Sequence, residues 1–151
     1  MAHFHSWLTA FPTDTPRNQY IHGRFAFLLE REQTIQHNIQ AYRNQVMMQS
    51  TRDTSANGMI SNMRQISRMY NFHLLVLHFR AMWLVRADDL DNIQQAGHEI
   101  FREIRGVERA HRNLRLRIGL LRQIERARVA ALTPANEIGH DDVDTESTDT
   151  D

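Results

Sequence analysis

The sequence predicts an all-α protein: three long helices in an antiparallel coiled-coil-like bundle, a short N-terminal aromatic lid before them and a disordered acidic C-terminal tail after them. Three observations carry this expectation. Apolar residues recur over three long stretches with steps alternating between three and four, the heptad pattern of helices packed along their length. Polar breaks rich in capping residues separate the stretches. Seven of the eighteen acidic residues lie after Asn136, where the apolar pattern has stopped.

At 151 residues and 41% hydrophobic content the chain holds one domain with a core and no second full domain. The division expected is an arm over residues 1–17, a bundle over 18–133 with helices at about 18–49, 59–86 and 88–132, and a tail over 134–151. The absence of cysteine excludes disulfides, thiolate metal sites and cysteine nucleophiles. No basic region followed by an apolar run opens the chain, and no stretch of 18 apolar residues occurs, so an intracellular protein, cytoplasmic or nuclear and without a membrane span, is expected. All eighteen basic residues are arginine and precede Asn136; against eleven carboxylates they leave the first 136 residues at +7. A lysine-free chain so rich in arginine fits a viral accessory protein read from an overlapping frame, avoidance of lysine modification, or compositional drift.

In the N-terminal arm, Phe4, Trp7, Leu8 and Phe11 share one face of a short helix, closed by Pro12 and Pro16. Such a face is either a lid on the bundle or an aromatic anchor for a partner. Thr15 or Asn18 can cap the next helix, whose seam reads Ile21, Phe25, Leu28, Glu32, Ile35, Ile39, Tyr42, Val46. Residues 50–58 form a loop. The following seam, Ile60, Met63, Ser67, Tyr70, Leu74, Leu77, Ala81, Leu84, falls out of phase with the next, so a break is expected at Arg86 to Asp89. The longest seam runs Leu90, Ile93, Gly97, Ile100, Ile104, Val107, His111, Leu114, Ile118, Leu121, in a helix of about 67 Å. Gly106 and Gly119 are its weak points. His111 on this seam is expected to be satisfied in the core, or to act as a pH-sensitive group if it is buried between subunits.

Two surfaces stand out. The third segment carries a second apolar face at Met69, Phe72, Val76, Phe79 and Trp83, explained either by a central place in the bundle or by a protein interface. About a dozen residues of the last helix outrun its shorter neighbours and carry Leu120, Leu121, Ile124, Val129 and Leu132, each worth about 1.5–3 kcal/mol if buried. A homo-oligomer, most simply a homodimer, follows from that projection, as does a further protein partner. On the outer side of the same helix Arg102, Arg105, Arg109 and Arg112 form a stripe continued by Arg115, suited to a phosphate backbone but interleaved with Glu99, Glu103 and Glu108. Glu108 and Arg112 have the spacing of an ordinary i,i+4 pair.

Neither a glycine-rich phosphate loop nor a nucleophile elbow nor histidines and carboxylates at metal spacing is present, so no enzyme, cofactor or metal is expected. His3 and His5 alone do not make a metal site. The function expected is non-enzymatic: an assembly factor, scaffold or adaptor built on helical protein–protein contacts. The alternative is an RNA- or DNA-binding helical dimer using the arginine stripe.

Overall fold

Four helices make up the computed structural model, which describes residues 2–51, 56–87 and 90–133, with side chains over 5–51, 56–87 and 94–133. They are α1 (Ala2–Ala10), α2 (Pro16–Ser50), α3 (Asn57–Ala87) and α4 (Leu90–Leu132). The expected tail, and Asp88 as a cap, lie outside the described residues.

Local chemistry sets the starts and lengths of these helices. Thr15 is the N-cap of α2: its backbone is extended, and its hydroxyl accepts from the Asn18 amide at 3.2 Å. Pro16 therefore opens α2 instead of closing the arm, because a proline at the first helical position lacks only an N–H that would have no helical partner there. The out-of-phase seams do correspond to two helices, one ending at Ala87 and the next beginning at Leu90. Gly106 and Gly119 leave α4 unbroken over 43 residues, about 64 Å, since a single glycine costs only about 1 kcal/mol against the cooperativity of a packed helix.

α3 is the central helix, packed on α2 along one flank and on α4 along the other. Both neighbours run antiparallel to it: Glu32 meets Arg80, Arg43 meets Tyr70 and Gln49 meets Asn62 across α2–α3, while Arg80 meets Glu103 and Ser67 meets His111 across α3–α4. A helix between two others must bury more than one seam. The anticipated positions Ile60, Met63, Tyr70, Leu77 and Leu84 are buried, and a further heptad column, Ile66, His73 and Arg80, turns its side chains to α2.

The core is deepest where α1 folds back. Trp7, Leu8 and Phe11 are buried with Ile21, Phe25, Leu77, Leu84, Ala96, Ile100 and Ile104. Trp7 meets the Phe25 ring edge-on, centroids 5.2 Å apart. The arm is thus a lid. Farther along, the buried set thins to Ile35, Ile39, Ile66 and Tyr70, and then to Ile60, Met63 and Ile118.

Candidate protein interface

Register along the bundle is fixed by a polar cluster where α2, α3 and α4 converge. Glu32 is 1% exposed and Arg80 fully buried. The Glu32 carboxylate accepts from Arg80 Nη1 at 2.7 Å through Oε2 and lies 2.9 Å from His73 Nε2 through Oε1. Glu103 Oε2 accepts from the same Arg80 nitrogen at 3.2 Å. Burial works against charge on Glu32, yet the His73 hydrogen bond and the Arg80 guanidinium outweigh it and hold the carboxyl below its ordinary value. Glu103 is pushed the other way, chiefly by burial, which the Arg80 charge only partly offsets. Sliding any of the three helices by one turn would strand one of these charges, and breaking a buried pair typically costs about 3–5 kcal/mol. The sequence marks Glu32 only as a seam position and Glu103 only as a carboxylate among the arginines of α4, and it assigns no role to His73 or Arg80. Their signal was the seven-residue step from Ile66 to His73 to Arg80, a column parallel to the apolar seam.

At the opposite end the register runs out. Ile60 and Met63 pack with Ile118, and the loop residue Ala56 lies against this group. Glu125, gripped by Arg128 Nε at 3.1 Å and Nη2 at 2.8 Å, has its carboxyl lowered mainly by that hydrogen bond and lies by the Ala56 backbone. Beyond Glu125 every residue of α4 is exposed.

The anticipated interface residues divide accordingly. Leu120 (58%) and Ile124 (53%) are exposed, as are Leu116, Val129 and Leu132. Leu121 is not part of the projection: it is half-buried against Ile60, Met63 and Ile118, since α3 reaches that level. On α3, Met69 and Val76 turn inward against the Ile35–Ile39–Tyr70 group, and Trp83 is half-buried against the lid end of the core. Phe72 and Phe79 remain exposed. The second apolar face is thus no single surface: its Met69–Val76–Trp83 column lies toward α2, and only the phenylalanines look out. Phe79 lines a groove of about 400 Å³ with Tyr20, Arg24, Phe27, Met82 and Arg86. There the guanidinium of Arg24 lies 5.7 Å from the Tyr20 and Trp83 rings alike, and Arg86 lies 4.8 Å from Trp83.

Arg102, Arg105, Arg109, Arg112 and Arg115 are all exposed on α4. Among the described residues none of the five makes an ion pair, and the anticipated Glu108–Arg112 pair does not close. His111 is half-buried 2.7 Å from the Ser67 hydroxyl, and burial together with nearby Arg115 lowers its pKa. Its partner is within its own chain.

Among the described residues no group of three or more His, Cys, Asp or Glu could hold a metal ion, and no helix is long and apolar enough to cross a membrane. No protein-family model matches the chain, and no curated protein or solved structure matches it.

Proposed function

We propose that the protein is a non-enzymatic assembly factor that self-associates through the C-terminal third of α4. One observation supports this above the others: Leu116, Leu120 and Ile124, each more than half exposed, line up with Ala127 and Ala131 in a stripe that leaves the bundle. At 100° per residue these five positions fall within about 80° of the helix circumference. The stripe is long enough for a second copy of itself, whose apolar residues would be covered in the same act, as two-fold contacts require. Burying three such side chains from each copy is worth on the order of 1.5–3 kcal/mol per side chain before the cost of association. The aromatic groove between α2 and α3 is left free for a further protein partner.

The natural lack of cysteine supplies the test. Ile124, at the middle of the stripe, should lie near its own mate across a two-fold axis, so Ile124→Cys oxidises to a covalent dimer, whereas Phe101→Cys, exposed on the same helix but outside the stripe, does not. Equal cross-linking at both positions would mean chance collision and would remove the α4 contact.

Five exposed arginines that make no ion pair among the described residues favour a second reading, binding of RNA or DNA along Arg102, Arg105, Arg109, Arg112 and Arg115. Affinity should then fall with salt at a log-log slope of about 0.9 per phosphate neutralised on duplex DNA. Arg102→Gln with Arg105→Gln should flatten the slope by about two on the same scale. A slope unaffected by both changes would exclude the stripe.

A further inference from the structure

Between α3 and α4 lies a groove of about 610 Å³, lined by Leu74, Glu108, His111, Arg112, Arg115 and Leu116. It has two apolar walls, Leu74 and Leu116, and a cationic margin, Arg112 and Arg115, with Glu108 the one carboxylate in the lining. Farther down α4, Arg122 and Arg126 continue the cationic margin: with Arg112 and Arg115 they fall within about 80° of one another around the axis at 100° per residue. All four are exposed, and none makes an ion pair among the described residues. Gly119 sits on this flank with open space over it.

The chain after α4 has the complementary chemistry. From Glu137 to Asp144 it carries Glu137, Asp141, Asp142 and Asp144, with Ile138 and Val143 as its large apolar residues and no basic residue other than His140. Val143 stands directly between carboxylates. The spacing also agrees. From Thr133 back to Leu116 and Arg112 is 17 to 21 residues of helix, about 26 to 31 Å. Ten residues of extended chain, Thr133 to Val143, reach at most about 33–36 Å. Glu137, four residues past Thr133, comes level with Arg126 and Arg122 on the same arithmetic.

We propose that residues 137–144 fold back along α4 of their own chain and dock in the α3–α4 groove, Val143 between Leu74 and Leu116 and the flanking carboxylates on Arg112 and Arg115. The docked segment covers the lower end of the arginine stripe and takes Leu116 from the association stripe, leaving Leu120, Ile124, Ala127 and Ala131 open; it rests on neither reading above. Its occupant is settled by charge and by reach: the Tyr20–Arg24–Trp83 groove, which is also cationic, lies at the far end of the bundle, about 57 Å from Thr133, beyond the reach of Val143 in the same molecule.

The full chain is the test object, because without native cysteines it accepts two spin labels at chosen positions. With labels at His98→Cys and Ser147→Cys, docking brings the pair within about 25 Å, since fourteen extended residues run back some 46 Å of the 52 Å between Thr133 and His98. An undocked segment would instead hover within about 20 Å of Thr133 and give a broad distribution near 50 Å. Diluting the labelled chain with excess unlabelled chain should leave the short distance intact. Arg112→Glu with Arg115→Glu should abolish it, and so should Val143→Asp, with the helix content unchanged in each. Salt near 1 M, where the screening length is about 3 Å, should weaken it. A broad, long distribution in the unaltered chain at low salt, a short distance that disappears on dilution, or one that survives all three substitutions would each overturn the proposal.

Discussion

The two ends of the bundle are built on different physics. At the lid end α1 closes over α2, α3 and α4, ten described residues form one buried cluster, and just beyond it Glu32, His73, Arg80 and Glu103 fix the relative height of three helices. At the far end three buried residues hold α3 to α4, and the last turns of α4 continue with exposed Leu120, Ile124, Val129 and Leu132. The lid end carries the larger buried core and the buried ion pairs; the far end carries large apolar side chains that no described residue covers.

The largest effect expected tests the alignment device. Arg80→Met should destabilise the fold by about 3–5 kcal/mol in urea unfolding, because Glu32 is left as a buried carboxylate without its cation. Replacing Glu32, His73 and Glu103 by leucine in the same chain should return most of that loss, as apolar substitutes for a whole buried cluster often do. If Arg80→Met alone costs under about 1 kcal/mol, in the range of exposed pairs, the cluster does not carry the alignment.

A paired truncation sharpens the contrast between the ends. Phe25→Ala, at a position with no exposure, should cost about 3–5 kcal/mol from lost burial and the cavity left behind. Ile124→Ala should change the unfolding free energy of the dilute monomer by less than about 0.5 kcal/mol. Comparable losses at the two sites would mean that the far end belongs to the folding core.

Much of this contrast was legible in the sequence. The α2 seam from Ile21 to Ile39 is buried as the spacing requires, and the break between Ala87 and Leu90 follows from the phase of Leu84 against Leu90. The polar cluster was hidden because hydrophobic periodicity counts His73 and Arg80 as solvent positions, and only the partner helices show that they face a carboxylate. Of the two explanations that the second apolar face of α3 allows, a central place in the bundle accounts for Met69, Val76 and Trp83, while Phe72 and Phe79 stay exposed; periodicity alone cannot divide them, because it does not say how far round α3 its second neighbour reaches. The surfaces were harder still, since a sequence records which residues are apolar but not which side of α4 a neighbouring helix covers: Ile118, Leu121 and Glu125 lie on the covered side, and Leu116, Leu120 and Ile124 on another.

The smallest effect concerns pH. The folded His111 has its pKa lowered by burial and Arg115, while in the unfolded chain it titrates near 6.5. Below 6.5 the unfolded state therefore binds the proton first, and stability falls as pH drops from 6.5 toward the lowered value. Glu32 acts in the same direction at lower pH, below its ordinary 4.5, because its stabilising charge is lost as the carboxyl protonates. Glu103 opposes it, since a raised carboxyl loses stability as pH rises above 4.5. His111→Gln should remove the drop just below 6.5, read as urea midpoints that no longer separate between neutral and mildly acidic buffer, and should leave the steeper acid transition in place.

Molar mass by light scattering, followed from micromolar concentration upward, tests most directly whether the far end of α4 is an association surface. The unaltered chain should give twice its 17.8 kDa and approach 17.8 kDa on dilution. Leu120→Asp with Ile124→Asp should hold it at the single-chain mass without changing its helix content, while Phe79→Asp in the α2–α3 groove should leave the dimer in place. A mass of 17.8 kDa for the unaltered chain across the whole range, or a dimer indifferent to both aspartates on α4, would contradict the account.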